Sequence, residues 1–190
     1  MLKITDTYNL KDIYDFQLSF KTPYFFDVEF EDWKKSFADD IDGEGRKLFK
    51  ELFVKAVYDE KVLLGFVQYG KTAFGFDDKG EISSEISYPV IRNLYFKEDR
   101  ADAGELLINE AMQNFGSDKQ VYAFFHYFGM TCFARHGKLF ENNAQIDSLL
   151  KDNGFEVEHE NVYYSSVLTE SKNSEVTLTA GGFKRQSSVY

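Results

Sequence analysis

The residues best placed for chemistry lie between Val90 and Phe115. An apolar run ending in Leu94, Tyr95 and Phe96 meets the small-residue turn Arg100, Ala101, Asp102, Ala103 and Gly104, followed by Leu106, Leu107, Ala111 and Phe115. A strand that enters a helix through such a turn leaves several backbone N–H groups unpaired at the helix start, and these can cradle a phosphate. The pattern points to a phosphorylated cofactor. Other chemistries lack their residues. His126, His136, His159 and Cys132 make no recognised metal spacing, so no metal site is expected. No nucleophile-elbow pattern occurs. Cys132 reads as a small buried hydrophobe rather than a nucleophile.

Bulk properties narrow the class. A chain of 190 residues is expected to bury roughly two thirds of its unfolded surface as one domain. Its 20 Phe and 12 Tyr exclude a disordered chain and supply area for a core or for ligand walls. The formal charge of -10 argues against tracking a nucleic-acid backbone. It suits a cationic substrate, although plain solubility accounts for it without one. The N-terminus lacks a secretory pattern and no apolar run reaches the roughly 20 residues of a membrane span, so a cytoplasmic protein without membrane contact is expected.

The positioning elements read as follows. Leu2 to Ile4 is a short strand, and Asn9 caps a helix with Leu10, Ile13, Tyr14 and Leu18 on its apolar side. A second helix from Glu29 carries Phe30, Trp33 and Phe37 on one face. A loop from Asp40 to Gly45 leads to a helical turn over Arg46 to Glu51. Leu52 to Tyr58 and Val62 to Tyr69 form an antiparallel hairpin. A third long strand covers Ile82 to Phe96, bulged or unpaired at Pro89. Helix Gly104 to Phe115 precedes a buried strand from Gln120 to Phe128, a parallel crossover. A helix around Ile146, Leu149 and Leu150 ends at Asn153 and Gly154. Phe155, Val157 and His159 then alternate as a strand whose partner is Val162 to Leu168. Residues 1–170 make one domain, and 171–190 a polar tail or an extra edge strand.

This order resembles the GCN5-related N-acetyltransferase (GNAT) family, best from about Leu52 to Leu168. Two patterns carry the likeness. One is Asn93, Leu94, Tyr95 and Phe96 before the small-residue turn and the Leu106, Leu107 helix; the other is Asn143, Leu149, Leu150, Gly154 and Phe155. The resemblance implies a mixed α/β fold: a central, mostly antiparallel sheet with one splayed parallel strand pair and helices on both faces. It implies acetyl-CoA as acyl donor, held by Leu94, Tyr95, Phe96, Arg100, Ala101, Asp102, Ala103, Gly104 and Asn143. Two departures stand out. Aligning on Leu106 and Leu107 puts Glu98 where the family has Arg or Gln and Ala101 and Ala103 at its Gly positions, whereas aligning on Arg100 makes the turn about two residues short and leaves Glu105 at the second small position. Leu150 falls where the family often has a Tyr as general acid, and Leu donates no proton.

The activity so implied moves an acetyl group from acetyl-CoA directly to a primary amine of a small molecule or peptide. That needs a neutral nitrogen, a polarised carbonyl and a protonated leaving thiolate. Glu85, on the third strand, and His126, at the end of the next, are the candidate bases, and Tyr127 the candidate acid. Each also reads as ordinary structure: Glu85 as a solvent-facing strand residue, His126 as a core imidazole, Tyr127 as packing. Arg135, His136 and Lys138 read as coenzyme phosphate contacts or as a paired surface patch. Two other classes stay open: a catalytically inactive acyl-CoA-binding sensor or interaction module, and a ligand-binding domain walled by Tyr122 to Phe133. Exposed aromatic residues near the C-terminal strands leave room for a homodimer.

Overall fold

The computed structural model describes residues 2–20, 27–38, 40–116, 120–133, 137–170 and 176–188, with those from 159 on described by backbone alone. β1 (Leu2–Thr5) leads to α1 (Leu10–Ser19), where Asn9 Oδ1 accepts the Lys11 N–H at 2.8 Å. α2 (Phe30–Ala38) buries Trp33, Ser36 and Phe37, as the helical spacing of its aromatics requires. β2 (Phe49–Asp59) and β3 (Val62–Thr72) form the hairpin. Two short strands follow, β4 (Gly75–Phe76) and β5 (Ile82–Ser83), and then β6 (Pro89–Phe96), which pairs antiparallel with β3. α3 (Ala101–Phe115) returns the chain to β7 (Tyr122–Ala123), which pairs parallel with β6. The main sheet runs β1-β2-β3-β6-β7.

Helices cover both faces of this sheet. Phe66 of β3 meets Phe16 of α1 and Phe37 of α2 edge-on, at 6.3 and 6.1 Å. On the opposite face, Tyr69 meets Phe115 of α3 at 5.7 Å. Alternate β3 residues thus feed two layers, which is why that strand is apolar almost throughout. α4 (Ala144–Asp152) lies against α3, its Leu149 beside Gly104. The architecture is the mixed α/β sheet with one parallel pair that the resemblance implied.

Several boundaries differ from the sequence reading, each for a local reason. Arg46 to Glu51 is not a helical turn. Asp42 Oδ1 accepts the N–H groups of Glu44 and Arg46 at 2.9 Å each, closing a loop bridged by Ile41 and Lys47, and β2 starts at Phe49. The strand expected from Ile82 to Phe96 is broken. β5 pairs with β4, and Glu85 sits in an exposed turn beyond it rather than on a strand. Pro89 opens β6, where its missing N–H costs nothing, and the bulge falls at Arg92, skipped between the pairs Gln68–Asn93 and Tyr69–Ile91. β7 stops after Ala123 because Phe124 takes φ +55° and turns the chain out of the sheet. His126 therefore lies in a 3-10 turn (His126–Phe128), not at a strand end.

A second sheet runs β8 (Leu139–Phe140), β10 (Val176–Ser188), β9 (His159–Glu170). His159 to Glu170 is one strand, not two paired ones, and its partner is β10 along the whole length. The segment expected as a tail or edge strand is thus flanked on both sides, by β9 and by β8 at Gln186 and Ser187. Among the described residues no helix is long and apolar enough to cross a membrane.

The core is tight where β3 and β6 cross α3. A Cβ on Gly65 would stand 2.6 Å from the Tyr95 carbonyl oxygen and 2.8 Å from Phe96 Cβ. Backbone atoms on a central strand do not yield, so Gly65→Ala should lower stability by about 1–3 kcal/mol in urea unfolding. An unchanged midpoint would show that β3 and β6 are farther apart.

Candidate active site

The opening between β6 and β7 follows from the bulge and the early end of β7. The two strands pair only at Val90–Tyr122 and Ile91–Ala123, and a last bond runs from the Phe124 N–H to the Ile91 carbonyl at 2.9 Å. β6 continues to Phe96 without that neighbour. The Lys97 N–H donates to the Leu64 carbonyl at 2.9 Å, toward β3. By the alternation of an antiparallel strand, the N–H and C=O groups of Leu94 and Phe96 face away from β3, into the opening. Tyr95 points its ring into the core against Phe66 and Phe124, at 5.7 and 6.0 Å. Burial, partly offset by a bond with Gln17, pushes its phenol up to about 12.

A buried guanidinium holds this opening in shape. Arg92, wholly buried at the bulge, donates from Nε to the Phe128 carbonyl and from a terminal nitrogen to the Ser36 carbonyl, both at 3.0 Å. Its other terminal nitrogen bonds Asp40 Oδ2 and, at 3.1 Å, the Gly129 carbonyl. Asp40 in turn accepts from the Ser36 hydroxyl at 2.7 Å, the Thr131 N–H at 2.8 Å and the Thr131 hydroxyl. Burial pulls the Arg92 pKa down and the Asp40 charge opposes that pull. One cation thus ties β6, the end of α2 and the loop carrying His126 and Tyr127.

Beside it runs a chain of buried amides. Trp33 Nε1 donates to Gln17 Oε1 (2.8 Å), Gln17 Nε2 to Asn93 Oδ1 (3.1 Å), Asn93 Nδ2 to Gln68 Oε1 (2.8 Å), and Gln68 Nε2 to the Phe37 carbonyl (2.7 Å). α1, α2, β3 and β6 are locked in one register by these bonds. Sequence reasoning missed Arg92, Asp40, Gln17 and Gln68. A legible signal existed for one of them: Arg92 is a lone cation inside the apolar run from Val90 to Phe96.

The turn expected to cradle a phosphate is already the first turn of α3. Arg100 is its N-cap residue, and Ala101, Asp102, Ala103 and Gly104 are helical. Asp102 Oδ1 accepts the Ala103 N–H at 3.0 Å, and both carboxylate oxygens take Arg100, from Nε and a terminal nitrogen, at 3.0 Å each. Arg100 holds the Asp102 carboxyl below the usual carboxylate range, with the helix N–H groups adding to it. An anion arriving here competes with a carboxylate of the chain itself. Gly104 is small for packing: a Cβ there would meet the Phe96 ring at 2.9 Å and Leu149 Cδ2 at 3.0 Å. A groove of about 370 Å³ beside the turn is lined by Asp59, Glu60, Asp99, Lys97 and Arg100, so cations and carboxylates share it. A larger cavity, about 540 Å³, lies at the far end of α3, between Met112, Tyr122 and Phe155.

Of the acid and base candidates, the structure brings His126 and Tyr127 together, ring centroids 4.0 Å apart. Tyr127 is half exposed and packs on Phe76 of β4 at 4.7 Å. Glu85 is exposed, its N–H turned to Ser83 Oγ at 3.3 Å. Asn143 is buried at the N-cap of α4 without capping it by its side chain, its N–H bonded to the Phe140 carbonyl at 2.9 Å. Leu150 is wholly buried in the core and offers no proton. Arg135 and His136 lie outside the described residues, and Lys138 is half-buried, its pKa lowered by that burial. Burial pushes the Cys132 thiol up to about 11. Among the described residues no three of His, Cys, Asp and Glu converge on a common point.

No known family profile matches the sequence, and neither does any curated protein. Solved structures do. NAA60 of Arabidopsis thaliana, crystallised with a bisubstrate analogue, superposes at a TM-score of 0.53 with 15% identity, covering 100% of this chain and 98% of that one. A probable acetyltransferase from Staphylococcus epidermidis superposes at 0.48 with 10% identity, covering 100% and 98%. The chain has the fold of the GCN5-related N-acetyltransferases.

Two measurements check the site as described. Asp40→Ala leaves the buried Arg92 charge unpaired and should cost about 3–5 kcal/mol in urea unfolding; a loss under 1 kcal/mol, roughly the worth of a surface pair, would contradict the burial. Cys132 should be alkylated by iodoacetamide only slowly at pH 7, where on the order of one thiol in ten thousand is ionised. Its rate should climb about tenfold per pH unit until near pH 11, and a plateau below pH 9 would contradict the raised pKa.

Proposed function

We propose that the protein is an acyl-CoA-dependent N-acyltransferase that passes an acetyl group directly from acetyl-CoA to a primary amine of a small molecule or peptide. The observation behind this is the opening between β6 and β7, into which the backbone of Leu94 and Phe96 faces, on a fold shared with a protein crystallised with a bisubstrate analogue. The coenzyme supplies an activated acyl thioester and a thiolate leaving group. Its amide-bearing arm fits strand backbone, and Arg100 fits its phosphates once Asp102 lets go. Leu94 and Phe96 donate hydrogen bonds that polarise an acyl carbonyl. His126 takes the proton of the incoming ammonium, directly or through one water, with Glu85 as the other candidate base. Tyr127, beside His126, returns a proton to the departing sulfur, a role Leu150 is unable to fill. A net charge of -10 favours encounter with cationic amines over anionic ones.

A second reading has its own support. The Asp102 carboxylate on its own helix start and the absence of a donor at Leu150 suit an inactive acyl-CoA-binding module. Thermal shift with acetyl-CoA, followed by thiol release against an amine panel, separates the two. The enzyme requires stabilisation and turnover; the module requires stabilisation alone; neither signal overturns both. In an active protein, Asp102→Asn should lower KM for acetyl-CoA several-fold without changing kcat, and His126→Ala should lower kcat by about 10²-fold or more.

A further inference from the structure

We propose that the protein self-associates through the outer edge of β2, as a two-fold symmetric dimer in which Phe53 lies opposite Phe53 of a second copy. Such a dimer is independent of the catalytic reading. β1 covers β2 only from Ala56 to Asp59, its last pair being Thr5–Ala56. At the other end the register slips between Phe49 and Glu51, leaving Lys50 as a bulge. Among the described residues no strand pairs with the outer edge from Glu51 to Lys55, a ledge about 17 Å long. Such an edge offers unpaired backbone N–H and C=O groups to another strand.

The sequence of that ledge selects both the occupant and the register. An antiparallel pair of identical strands in one continuous sheet is related by a two-fold axis normal to the sheet. Each face then meets its own kind, so the axis passes through a residue opposite itself. Centring on Glu51 or Lys55 sets like charges against each other, which is unfavourable. Centring on Leu52 or Val54 leaves part of the ledge unpaired. Centring on Phe53 overlaps all five residues, pairs Glu51 with Lys55 of the second copy twice, and sets Leu52 against Val54. Glu51, Phe53 and Lys55 share the face that carries α3. There Phe53 is 37% exposed and rests on Tyr69 at 5.6 Å, while Lys55 reaches Glu110 at 3.1 Å. Lys55 would then lie between two carboxylates. A contact of five residues per copy belongs at the weak end of specific interfaces, so the dimer forms at high protein concentration.

Sedimentation velocity over a concentration series of the full chain tests this by charge exchange. The wild type should show a reversible monomer–dimer equilibrium. Glu51→Lys and Lys55→Glu should each weaken self-association by about tenfold or more, because each sets like charges opposite one another twice. Mixing the two variants should restore dimers, since the two lysines of one variant then face the two glutamates of the other across the pair. Circular dichroism confirms that each variant is folded. If Lys55→Glu fails to fold beside Glu110, the exposed Glu51→Lys alone decides the matter. A wild type that stays monomeric throughout, or a dimer that ignores Glu51→Lys because it forms elsewhere, overturns the proposal.

Discussion

One buried charge organises the part of this protein around the β6–β7 opening. Arg92 stands in a strand buried along its whole length, and a guanidinium there is tolerable only if each of its nitrogens finds an acceptor. Meeting them draws the end of α2, Asp40, and the carbonyls of Phe128 and Gly129 onto the strand. The bulge at Arg92 coincides with the last pairing of β6 to β7, so the opening and its anchor are one feature. Specificity rather than net stability is the natural gain from such a pair, since a well-packed apolar replacement is often as stable. What the apolar replacement lacks is the ability to hold two backbone carbonyls of a distant loop at hydrogen-bond distance.

The helix start beyond the opening shows how the same local pattern can carry opposite electrostatics. A first turn of small residues offers N–H groups and a partial positive charge, which favour an anion. Asp102 sits inside that turn and supplies the anion from within, clamped by Arg100. Gly104, expected among the residues that hold the coenzyme, is small because Phe96 and Leu149 press on it from two sides. Residue type alone leaves both explanations standing. Neighbours decide between them.

The helices at Leu10 and Phe30, the β2–β3 hairpin and the strand–helix–strand crossover were all legible, because burial on one face imposes a period of 3.6 or 2 on the residues. The short elements were not. β4, β5 and β7 have two residues each, too few for any period, and the end of β7 depends on the backbone turn at Phe124. The buried amides were hidden for a different reason: Gln17, Gln68 and Asn93 sit in three elements, and nothing in any one of them announces the other two.

By itself, then, the chain order of apolar stripes and turns determined the class of fold, since each stripe must be buried and few arrangements bury all of them. It also determined that Leu150 supplies no acid, a matter of composition at one position. Tertiary structure alone decided that Arg92 and Asp40 meet and that His126 and Tyr127 share a turn held by them. It likewise decided that the Asp102 carboxylate folds back onto the helix start and Arg100. These are contacts between residues far apart in the chain, or choices of rotamer and bulge, and local periodicity carries no record of either.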